Sequence, residues 1–202
     1  VIIAALAARC SAYADVWTDG VALWGEALAV QDGRAFFLRG GPTTHAMAEY
    51  GMQLSWAGRH EEAVEILERQ VAAAEWEMYN STHWASGRMN AAGYAPLSLV
   101  LRIVGQPQRA VEAADRGINF LADAGVKAHA AGASQQQIQS YIVEAARCVA
   151  ARALAVFGGD PKLGLEQMKV ALEMAGQDRV VAALSKQMSD FIESAQAQAI
   201  LR

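Results

Sequence analysis

GMQLSWAGRHEEAVEILERQV, residues Gly51 to Val71, places a small residue at Gly51, a glycine seven positions on at Gly58, and a second small residue five further on at Ala63. A glycine at such a point ends a helix in the left-handed conformation that a Cβ disfavours. Beyond it, Ala63, Leu67, Val71 and Ala74 recur at helical spacing, while Glu61, Glu62, Glu65, Glu68 and Arg69 fall on the opposite face. One face is therefore a core face and the other a solvated one. Ala63 is small enough for a preceding antiparallel helix to pack closely. The stretch predicts a helical hairpin.

The pattern recurs. Gly105-Gln106-Pro107-Gln108-Arg109-Ala110-Val111 and Gly159-Asp160-Pro161-Lys162-Leu163-Gly164-Leu165 repeat the turn glycine and the small residue five later, 47 and then 54 residues further along. Upstream, Val1–Val30 reads as a hairpin broken near Thr18-Asp19-Gly20, and Gln31–Pro42 as a connection plugged by Phe36-Phe37. Thr43 or Thr44 caps the helix that leads to Ala57. Asn80-Ser81-Thr82 marks a break, after which helix resumes to Val104, with Pro96 near its start. The next helix is expected over Gln108–Ala124, burying Ala110, Ala114, Ile118 and Leu121, with Gly125–Ala133 a loop or frayed end. Ser134 and Gln137 form a capping-box pattern. Asp160-Pro161 opens a helix with Leu165, Met168, Ala171 and Leu172 on its core side, ended by Gly176. Asp178 caps a last helix carrying Val181, Leu184, Met188, Phe191 and Ile192. No segment alternates as a strand does. The expected organisation is one domain over 1–202, with hairpins at about 1–30, 43–75, 82–124 and 134–176 and a cap at 178–200.

Composition agrees. The 202 residues are 53% hydrophobic and 19% charged, alanine is the commonest residue, and there are only 4 prolines, a balance that favours helix. A net charge of −4 without a basic cluster argues against a nucleic-acid partner. Cys10 and Cys148 are far apart in apolar contexts and read as small buried hydrophobes. The chain begins at Val1, and its apolar start, Val1–Ala8, is about half the length that crosses a bilayer. A membrane role follows only if that stretch is the end of a longer transmembrane helix. The compartment is open: a soluble domain, cytoplasmic or, if membrane-tethered, extracytoplasmic.

The hairpin pattern resembles the tetratricopeptide repeat. Gly51, Leu54, Gly58, Ala63 and Leu67 stand where that repeat has small, large, turn, small and large residues; Ser98, Leu101, Gly105 and Ala110 follow suit. The fourth hairpin is looser, with Arg152 at a small-residue position, and the periods exceed the usual ~34 residues. The resemblance covers about three quarters of the chain. It implies an all-α fold, a right-handed α-solenoid of about four antiparallel helical hairpins with a C-terminal capping helix. It also implies a protein or peptide partner held in the solenoid groove, the role of an assembly scaffold. Members that grip a C-terminal carboxylate use Asn, Lys and Arg on inner helices; matching positions here offer His45, Ser55 and Arg102. An extended or helical apolar segment is then the expected ligand. A narrower resemblance joins Val16-Trp17-Thr18-Asp19-Gly20 through Trp24 to multi-pass membrane glycosyltransferases with a C-terminal tetratricopeptide region, which implies an extracytoplasmic accessory domain. A ligand-sensing helical domain of a transcription regulator is a third reading.

Catalytic and metal signatures are missing from the sequence. His45, His60, His83 and His129 lack ligand spacing, the Gly-Gly pairs lack the context of a phosphate loop, and there is no nucleophile elbow. Neither an enzyme nor a cofactor is expected. The unusual stretch is Glu75–Tyr94. Trp76, Tyr79, Asn80, His83, Trp84, Arg88, Asn90 and Tyr94 exceed what a core needs and are the residue types interfaces favour. With Arg102 they form the expected binding patch, unless the aromatics fill a gap between long helices.

Overall fold

A computed structural model describes residues 19–32, 41–80 and 91–200. Eight helices follow one another: α1 (Gly20–Asp32), α2 (Gly41–Trp56), α3 (His60–Asn80), α4 (Tyr94–Ile103), α5 (Pro107–Ala130), α6 (Gln135–Phe157), α7 (Pro161–Ala175) and α8 (Arg179–Ile200), with a 3-10 turn at Ala91–Gly93 before α4. The fold is all-α, and no strand occurs among the described residues. Val1–Ala8, Cys10, Trp17 and Phe36-Phe37 lie outside them.

Local chemistry sets the helix ends. The Asp19 carboxylate accepts from the backbone N–H of Val21 at 2.9 Å, so α1 starts where the sequence predicted a break. Ser134 and Gln137 form the full capping box: Gln137 N–H donates to Ser134 Oγ at 3.3 Å and Ser134 N–H to Gln137 Oε1 at 2.8 Å. Asp160 accepts from Leu163 N–H at 3.0 Å, and Asp178 from Val180 and Val181 N–H at 3.1 Å each. Pro107 and Pro161 occupy first-turn positions whose N–H would have no intrahelical partner. Pro96, third in α4, is tolerated for the same reason.

The turn grammar holds twice and changes at the third copy. Gly58 and Gly105 have φ of +78° and +77°. Arg59 N–H returns to Leu54 C=O at 2.9 Å and Gln106 N–H to Leu101 C=O at 2.8 Å, the six-residue closure of a Schellman turn. The third turn is right-handed: Gly158 has φ −65° and Gly159 is not among the positive-φ glycines. There the chain closes instead through Asp160 N–H to Val156 C=O at 2.8 Å. The small residues serve helix approach in all three. Ala63 and Ala110 are fully buried, and a Cβ on Gly164 would stand 3.0 Å from Ala153 O and Phe157 Cα.

Several boundaries move. α3 continues to Asn80, five residues past the expected hairpin limit. α5 runs to Ala130 rather than stopping at Ala124, because Ala124 and Ala128 stay on its buried face and Gly132, at φ +79°, supplies the stop. Leu165 and Phe191, expected in the core, are exposed: α7 buries Gly164, Met168, Ala171 and Ala175 instead, and α8 turns Val181 and Met188 inward.

Each helix packs on the next, and α2, α4, α6 and α8 also pack each on the following one. These four make one continuous layer. On the other side, Glu68 and Glu75 of α3 bind Arg109 and Arg116 of α5. Both pairs span 41 residues, so α3 and α5 run parallel. The core has two parts. Leu54, Leu67, Tyr94, Leu101 and Leu121 represent the first, Phe157, Met168, Val181 and Met188 the second, and Leu99 packs against both.

Candidate functional site

Tyr94 is in the core. It is fully buried between α3, α5 and α6, so it is removed from the expected binding surface. Its room is made by Gly117 in the middle of α5: a Cβ there would lie 2.6 Å from Tyr94 Cβ and 2.8 Å from Cys148 Sγ. The ring packs on Phe120, centroids 5.5 Å apart. Its hydroxyl donates to Glu75 Oε1 at 3.0 Å, and Arg116 Nη2 donates to both Glu75 oxygens at 2.8 Å. Burial, reinforced by the Glu75 charge, pushes the phenol well above its ordinary range. Cys148 is buried in the same cluster, and desolvation raises its thiol likewise, which leaves it without thiolate character.

Of the rest of that patch, Trp76 is on α3 with 67% of its surface exposed. Tyr79 and Asn80 fall in the last turn of α3. His83, Trp84, Arg88 and Asn90 lie outside the described residues. The structure thus separates Trp76, at the surface, from Tyr94, in the interior.

Arg102 presents a different arrangement. Leu99, Arg102 and Ile103 share one face of α4, at the i, i+3 and i+4 positions. Leu99 is half-buried and Ile103 is 49% exposed. Arg102 Nε is buried with no hydrogen-bond partner. Burial alone pulls its guanidinium below the ordinary arginine range, with no carboxylate to offset it. Three arginines of the described chain are half-buried. Arg147 sits on Asp178 at 2.7 Å and on Glu144 at 2.8 Å, and Arg152 on Asp115 at 2.7 Å. Arg102 alone of the three lacks an acid. The Arg152 pair also explains why a long side chain is accepted at a small-residue position: it reaches across to α5.

The same face recurs along the helix layer. Met52, Ser55 and Trp56 of α2 stand 47 residues before Leu99, Arg102 and Ile103, and Trp56 is 72% exposed. The third copy, 54 residues on, is Ala153, Val156 and Phe157 of α6. There Ala153 and Phe157 are buried, and Phe191 of α8 meets Phe157 edge-on at 5.8 Å and 85°. Two copies of the face are open and one is covered by a helix. Trp56 and Ile103 are not picked out by composition; their signal is positional, each two residues before a turn glycine.

No three His, Cys, Asp or Glu side chains converge on a metal-binding geometry among the described residues, and no described helix is long and apolar enough to cross a membrane. No protein family, characterised protein or solved structure matches the chain.

Proposed function

We propose that the chain is a tetratricopeptide-like, right-handed helical solenoid that holds a segment of a partner protein along the layer of α2, α4 and α6. The observation that carries this reading is the succession of contacts α2–α4–α6–α8. Stacking each hairpin's first helix on the next produces one extended surface, and such surfaces bind chains rather than small molecules. That surface carries exposed Trp56 and Ile103 at matching places, aromatic and aliphatic anchors of the kind that dominate interfaces. Its role is binding and assembly, and the α3–α5 ion pairs lie on the opposite side.

The test is site-specific photocrosslinking in cells. A benzoyl-phenylalanine at Met52 or Leu99 is expected to capture a discrete protein, while the same group at Glu65 or Arg69, on the solvated face of α3, captures none. Equal capture from both positions, or none from the layer, refutes the reading.

A further inference from the structure

We propose that the Leu99–Arg102–Ile103 face takes an acidic amphipathic helix of a partner protein, with an apolar side chain seated against Leu99 and Ile103 and a carboxylate on Arg102. The inference rests on the groove reading and names the chemistry of its ligand. Two independent observations carry it.

The first is the cation. Arg102 is the one half-buried arginine of the described chain without a carboxylate, although Arg147 and Arg152 show that this fold supplies acids to such groups. Its Nε is enclosed, whereas neither Nη is among the buried, partnerless atoms and no bond engages them. The two Nη nitrogens therefore form the outward end of the side chain. That end offers two parallel N–H donors, the geometry that binds a carboxylate bidentately. An acid arriving from outside would meet a guanidinium whose desolvation is already in place.

The second is the covered copy of the same face. On α6 the occupant is a helix, α8, which places Phe191 edge-on to Phe157. Phe191 itself stays 61% exposed; α8 buries Val181 and Met188, and its exposed Asp190 pairs with Lys186 of the same helix at 3.0 Å. The molecule itself thus shows that a helix closes this face; the copy on α6 has Val156 where α4 has Arg102, so the need for an acid comes from the cation alone. On α4 Ile103 is exposed beside half-buried Leu99, and the guanidinium stands at their edge.

The experiment uses the full chain and two fluorescein-labelled helical peptides of the α8 sequence, residues 179–194. One is unchanged; in the other the peptide's Asp190 and Glu193 are replaced by Asn and Gln. Fluorescence anisotropy is read against the wild-type chain, Arg102→Met and Arg102→Gln, with thermal melting as the check on folding. The peptide that keeps its two carboxylates is expected to bind the wild-type chain about tenfold more tightly than its amide counterpart, and both variants to lose that difference while melting no lower than wild type. Equal affinities, or a difference that survives in both variants, overturn the inference alone. If neither peptide binds while crosslinks from Leu99 still capture a partner, the acidic-helix inference falls and the groove reading stands; if both fail, both fall. Sedimentation showing self-association that Arg102→Met abolishes makes the occupant a second copy and overturns the partner-protein assignment.

Discussion

Gly117 and Gly125 are eight residues apart in one helix and predict opposite outcomes. Alanine is worth about 1 kcal/mol over glycine inside a helix by propensity. At Gly117 that gain is overcome, because the new methyl would meet Tyr94 Cβ at 2.6 Å and Cys148 Sγ at 2.8 Å, atoms held close to their backbones. Gly117→Ala is expected to destabilise by roughly 1–3 kcal/mol, the scale of overpacking. At Gly125 the nearest atom is Tyr141 Cβ at 3.9 Å, an ordinary contact. Gly125→Ala should therefore stabilise by about 0.5–1 kcal/mol. Urea denaturation of both variants checks the pair; a shared sign contradicts the close approach of Tyr94. The same packing separates two aromatics that the sequence placed together. Tyr94→Ala should cost about 3–5 kcal/mol, the scale of an aromatic core truncation, and Trp76→Ala less than about 1 kcal/mol, both read as shifts in denaturation midpoint.

At the scale of elements, the attachment of α8 has a defined electrostatic part. Asp178 caps α8 through two backbone N–H groups and also binds Arg147 of α6. The Arg147 hydrogen bond, helped by the cap bonds, holds its carboxyl below the ordinary aspartate range. Because the folded pKa lies below the unfolded one, this stabilisation is complete above the unfolded value, about 3.9, and is lost as pH falls through the folded value. Asparagine retains a cap acceptor but not the charge. Asp178→Asn should thus melt below wild type at pH 7, by roughly 1–2 kcal/mol, and the gap should close as pH falls below about 4. A gap that persists in acid would assign the effect to capping or packing rather than to the ion pair. The exposed pairs at Arg59–Glu62 and Lys186–Asp190 should each contribute well under about 1 kcal/mol.

For the whole molecule, stacking predicts graded stability. Among the described helices, α4 and α6 have neighbours on both sides, whereas α1 packs on α2 and α8 on α6 and α7. Local opening in stacked helical arrays begins at the ends, where fewer interfaces must break. Hydrogen exchange is expected to be slowest at Leu97, Leu101, Leu121 and Cys148 and fastest in α1 and α8. Uniform protection across all eight helices would instead indicate a single cooperative unit.

Helix identity, most caps and the first two turns were legible in the sequence because they depend on contacts within a few residues; the exception is Thr43 or Thr44, expected to cap α2, which begins earlier, at Gly41. Gly58, Gly105, Ser134 with Gln137, and Asp178 act through backbone groups two to six positions away, and 3.6-residue periodicity reports a buried face without naming what buries it. The extent of α5 was misread because Gly125 is a weak stop when Ala124 and Ala128 still have a face to pack. The site was less legible. Glu75–Tyr94 stood out by composition, yet composition does not tell a core tyrosine from a surface one. Only the absent side chain of Gly117, on a different helix, placed Tyr94 inside. Arg102 was visible as a residue but not as an unpaired cation, since that requires knowing that no acid of α2, α3, α5 or α6 reaches it while Asp115 and Asp178 reach Arg152 and Arg147. Sequence by itself determined the hairpins, because their interactions are local; tertiary structure decided which faces are covered and which charges are met, because those depend on side chains distant in the chain arriving at the same place.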